Sequence, residues 1–67
     1  MKIEEFIKID NTALIEVDEI PFKWKCGGQV LIDNKEYDAT IVYDLPNNIA
    51  VFGVGDDDLI DKELKFV

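Results

Sequence analysis

Apolar and polar residues alternate along most of this chain, and a period of two is the mark of a strand with one buried face. Over residues 12–18, Ala13, Ile15 and Val17 share one face while Leu14, Glu16 and Asp18 share the other. The next segment reads the same way: Ile20, Phe22, Trp24 and Cys26 alternate with Pro21, Lys23 and Lys25. Pro21 has no N–H to give to a ladder, so it is expected at a strand start, an edge or a bulge. The longest alternating stretch is residues 36–44, with Tyr37, Ala39, Ile41 and Tyr43 on one face. Residues 49–54 are nearly continuous apolar, the pattern of a central strand or one covered on both sides. A last strand is expected over residues 63–67, with Leu64 and Phe66 inward.

Turn residues punctuate these segments. Gly27-Gly28 suits a tight turn, because glycine accepts positive φ, and residues 29–32 then form a short strand. Asp33-Asn34-Lys35 suits a second turn, since Asp and Asn tolerate left-handed backbone. In Leu45-Pro46-Asn47-Asn48 the proline sits where its fixed φ favours a β-turn. Gly55-Asp56-Asp57-Asp58 ends the fifth apolar segment, and Asp61-Lys62 turns the chain into the last one. The start reads two ways: Phe6-Ile7-Lys8-Ile9 alternates, yet Ile3, Phe6, Ile7 and Asp10 also have helical spacing. A segment this short is not a stable helix alone, so a strand or a short helical turn packed on the sheet is expected.

The pattern therefore predicts a mostly β fold of five or six short strands, with residues 29–54 as an antiparallel meander. A sheet this small covers its apolar face by curling, and the expected result is a partly open, SH3-like barrel. A five-stranded sheet capped by an N-terminal helix is the alternative. At 67 residues the chain is sized for one domain, spanning 1–67, with no repeat or linker.

Charge narrows the function. Fifteen acidic residues against seven basic ones leave −8, a field that repels nucleic acid and anionic lipid. No run approaches the length of a membrane span, and acids interrupt the stretch where a signal peptide needs apolar residues. One cysteine, Cys26, forms no internal disulfide, which suits a cytoplasmic protein. The chain has no His, no Arg and no Ser, so the usual general base, the Ser-His pair and the bidentate anion clamp are all missing. A non-catalytic domain without cofactor is expected.

Four constellations invite chemistry. Asp56, Asp57, Asp58 and Asp61 resemble an oxygen-donor set, but Leu59-Ile60 interrupts them and the glycine precedes them, unlike a calcium loop. A solvated turn with no metal is the expectation. Phe22-Lys23-Trp24-Lys25 joins aromatics to lysines, as single-strand binders do, yet alternation directs the aromatics into the core. Cys26 on the same apolar face is expected to pack as a small core residue. Tyr37 and Tyr43 on one face would suit an aromatic groove for a peptide, or packing with the hydroxyls in water.

These readings point to a binding or accessory domain whose partner is another protein, one with a basic surface being the natural complement. The candidate binding residues are Pro46, Asn47 and Asn48 in one loop and Asp56, Asp57 and Asp58 in another. A spare sheet edge offers a further route, including a homodimer. The alternative is an acidic inhibitor that mimics a nucleic-acid backbone and occupies a basic site. A third is a catalytic subunit completed by a neighbouring chain.

Overall fold

The computed structural model describes residues 1–24, 27–56 and 58–67. Among these the chain forms six strands and one 3-10 turn, with no α-helix. The strands are β1 (Phe6–Ile9), β2 (Thr12–Glu16), β3 (Gly28–Ile32), β4 (Lys35–Ile41), β5 (Asn48–Phe52) and β6 (Leu64–Phe66). They make one antiparallel sheet in the order β1-β2-β5-β4-β3-β6. The start of the chain is thus a strand, and the helical turn considered for it does not form there.

The sheet is not closed, but its two ends are drawn together. β1 and β6 stand at opposite ends of the order, yet Lys2 and Glu63, just ahead of each, form an antiparallel bridge. Backbone bonds from Ile3 N to Lys62 O (2.9 Å), Leu64 N to Met1 O (2.7 Å) and Asp61 N to Ile3 O (2.8 Å) hold it. Only a curled sheet can bring those segments side by side. The expected partly open barrel follows from this closure, and its inside is dry: Ile3, Ile15, Ile49, Leu59, Leu64, Val30, Val51 and Val54 are fully buried.

The turns form for the reasons their residues suggest. Ile32 pairs with Lys35 across Asp33 and Asn34, whose φ values of 50° and 68° are those of a type I′ hairpin. Leading into β5, Asn48 N donates to Leu45 O (3.2 Å), with Pro46 at the second position and Asn47 at φ 59°. That is the pattern of a type II turn. The β1–β2 hairpin turns at Asp10-Asn11, with Asp10 left-handed at φ 55°.

Alternation misleads in one segment. Residues 20–24 are not a strand: Pro21 O accepts from Trp24 N (2.9 Å), and Phe22–Trp24 wind into a 3-10 turn. Ile20 and Trp24 still reach the core, but Phe22 is 80% exposed where Trp24 is 4%. Lys25 and Cys26 lie outside the described residues. Gly27 therefore does not close a hairpin; its N–H ends the 3-10 turn on Trp24 O (2.8 Å), and Gly28 opens β3. Gly27 has φ +92°, and a Cβ on Gly28 would meet Trp24 Nε1 at 3.3 Å. The indole sits in the space a side chain there would occupy. Its ring meets Phe66 edge-on, centroids 4.9 Å apart, and its Nε1 donates to Gln29 O (2.9 Å), so the polar end of a buried ring is satisfied.

Candidate binding face

In an antiparallel sheet, residues directly opposite one another point to the same side, so the register assigns every side chain to a face. Ala13, Ile15, Ile49, Val51, Tyr37 and Ala39 point in and are buried. The other face then carries two rows: Ile7, Leu14 and Ala50 in one, Ile9, Thr12 and Phe52 in the next. Every residue in both rows is apolar except Thr12. The rows span about 10 Å across three strands and about 7 Å along them. Ile7 is 64% exposed, Ile9 57% and Phe52 44%, while Leu14 and Ala50 lie lower between them. No helix or second sheet covers this side among the described residues.

At one end of the face the apolar row meets acids. A groove of about 260 Å³ is lined by Glu5, Phe6, Ile7, Leu14, Glu16 and Asn48. Glu5 and Glu16 are shared with a second cleft of about 230 Å³, which also takes in Glu4, Val17 and Asp18. Register explains the sharing, because Glu16 pairs with Asn48 at the end of β2 and Ile7 pairs with Leu14 beside it.

The sequence-derived candidates separate. Asn47 O accepts from Val17 N (2.8 Å), and Asn48 Nδ2 donates to Pro46 O (3.0 Å), so this loop stands at the groove end of β5. Asp56 and Asp58 follow the opposite end of β5, where Val54 N bonds Asn11 O (3.0 Å) at the β1–β2 turn. Five residues of strand separate the two loops, about 16 Å, so they do not form one site. Of the five described candidates only Asn48 borders the groove. Asp56 bonds Lys8 Nζ (3.1 Å) and Asp58 Oδ1 accepts from Ile60 N (3.0 Å), while Asp57 lies outside the described residues. No group of three His, Cys, Asp or Glu side chains is placed to hold a metal among the described residues. Tyr37 is buried beneath Lys35, and Tyr43 falls beyond the end of β4 in the exposed loop, so the two share no groove.

Both sheet edges carry features that oppose strand addition. β1 is four residues long, and Lys8 sits on its inward side opposite Ala13, tied to Asp56. A charge turned inward on a short edge strand obstructs pairing with another chain. The start of β6 is covered by the Met1–Ile3 segment. The open surface is therefore the face, not the edge.

Residue order alone missed this face. The available signals were Leu14 among the polar positions of β2, isoleucines at both outward positions of β1, and the unbroken apolar run of β5. Each is unremarkable until the pairing aligns them. Comparison of the chain with protein-family models, curated proteins and solved structures finds no match.

Proposed function

We propose that this chain is a non-catalytic protein-binding domain that works through the outer face of β1, β2 and β5. The observation that carries the reading is the contiguous apolar patch of Ile7, Ile9, Leu14 and Phe52, with no helix or second sheet over it among the described residues. Fully burying an Ile or Phe side chain contributes about 1.5–3 kcal/mol. Scaled by the exposures of Ile7, Ile9 and Phe52, a partner covering them gains roughly 2.5–5 kcal/mol. That is comparable with the contribution of a central cluster of anchor residues in a protein interface. It also leaves room for polar contacts at the rim to set specificity. The missing His, Arg and Ser support a binding role over catalysis.

A backbone mimic needs acids at regular spacing and gains nothing from exposed isoleucines. Here the acids border an apolar patch, which favours apolar docking of a partner over imitation of a nucleic-acid backbone. Site-specific photo-crosslinking in cells that naturally make the protein tests the proposal. A crosslinker replacing Ile7 or Phe52 is expected to trap a discrete partner, and one replacing Asn34 at the far hairpin is expected to trap none. Trapping from Asn34 alone, or equally from all three positions, contradicts it.

A further inference from the structure

We infer that the occupant of this face is a segment of another protein rich in lysine or arginine, with apolar side chains set between its charges. This rests on the protein-binding reading and adds the chemistry of the partner. The apolar row does not stop at open water: Ile7 and Leu14 lead into space bordered by Glu5 and Glu16, and beyond them by Glu4 and Asp18. Among the described residues the ion pairs are Met1–Glu63 and Lys8–Asp56, and neither engages any of those four acids. Among the described residues Lys2 is the lone basic side chain lining either space, and the neighbouring N-terminal ammonium is held by Glu63 and Leu64 O. Lys35 and Lys65 stand on β4 and β6, across the sheet from β1. Like charges around a concave surface focus a negative field, and a cation brought there relieves their repulsion.

The spacing of the acids also matters. No three of them are placed to share one metal ion, so they suit cations distributed along a chain rather than a single ion. In an extended segment, alternate side chains repeat about every 6.6 Å, which sets charges and apolar groups down in turn. A second copy of this chain is the poorer occupant, because it brings another −8 against the same rim.

Titration of the full-length ¹⁵N-labelled chain with three short synthetic peptides of equal length tests this. One alternates lysine with valine, one carries glutamate for lysine, and one carries serine for valine. The lysine–valine peptide alone is expected to shift the amides of Phe6, Ile7, Leu14 and Glu16 saturably, and raising salt to physiological strength is expected to weaken it severalfold. Replacing both Glu5→Gln and Glu16→Gln is expected to weaken it about threefold to tenfold with an unchanged melting temperature.

Equal binding of the lysine–serine peptide, or no saturable shift at millimolar lysine–valine peptide, overturns the inference. Equal binding of the glutamate peptide at the same amides overturns the basic partner and leaves the protein-binding face standing. Shifts confined to residues away from the face overturn both. Shifts of the face amides with protein concentration alone make a second copy the occupant and overturn the inference.

Discussion

Leu59 lies in a stretch that reads as a solvated acidic loop, yet it is fully buried, while its neighbour Ile60 is 41% exposed. The connection that carries them is fixed at both ends: Val54 N bonds Asn11 O, and Asp61 N bonds Ile3 O. Lys62 N donates to Leu59 O (3.2 Å), and Asp58 caps the turn through Ile60 N, so the chain curls over Leu59 and points it inward. Truncating a fully buried leucine to alanine costs about 2.7–5 kcal/mol, the lost transfer energy plus the cavity left behind. A chain of this length has roughly 3–10 kcal/mol of stability to lose. At about 4–8 °C per kcal/mol, Leu59→Ala is expected to lower the melting temperature by roughly 11 °C or more, or to unfold the protein. Ile60→Ala is expected to cost less than about 1 kcal/mol. Leu59→Met keeps the volume and is expected to fold with a loss under about 1.5 kcal/mol, which separates a packing effect from general intolerance of the loop. Urea denaturation followed by circular dichroism reads all three. If Leu59→Ala and Ile60→Ala prove equally mild, this connection does not pack over the core and the curl of the sheet that it completes is wrong with it.

Other positions make independent tests. Gly27→Ala forces a side chain into φ +92° with backbone atoms of Ala39 and Thr40 at 3.1 Å, whereas Gly53→Ala at φ +77° meets open space. Both should destabilise, Gly53→Ala by about 1 kcal/mol and Gly27→Ala by clearly more, as read by thermal melts. Trp24 fluorescence should have a blue-shifted maximum in the folded protein that moves red on unfolding, and weak quenching by iodide; a red maximum in the native state contradicts its burial. Asn34→Gly in the type I′ turn should leave stability unchanged or raise it by up to about 1 kcal/mol in urea melts, since glycine takes positive φ without steric cost.

What could be read from residue order was whatever local chemistry decides. The faces of β2 and β4 were legible at Ala13, Ile15, Val17, Tyr37 and Ala39, because one side of each strand is dry and the other wet. Asp33-Asn34 and Pro46-Asn47 were legible because their backbone preferences do not depend on distant residues. The segment around Phe22 was not. Alternation sets Phe22 and Trp24 on one face, whereas a 3-10 turn of about three residues per turn points them apart, and Trp24 meets Phe66 from the far end of the chain. Leu59 carries no periodic signal; its burial follows from the path between two distant anchors. The apolar outer face was illegible for the same kind of reason. Ile7, Leu14 and Phe52 become neighbours only through the pairing of β1 with β2 and of β2 with β5.

The isoleucines themselves are probes placed on both sides of that pairing. Ile3, Ile15 and Ile49 are completely buried, whereas Ile7 and Ile9 stand more than half exposed on the opposite face. Methyl-selective NMR with a soluble paramagnetic gadolinium chelate measures each one directly. Strong broadening of the Ile7 and Ile9 methyls, with Ile3, Ile15 and Ile49 spared, is the result this architecture requires. Protection of Ile7 and Ile9 to the level of Ile15 would mean that the outer face is already covered or that β1 is turned over, and the proposed binding surface would not exist.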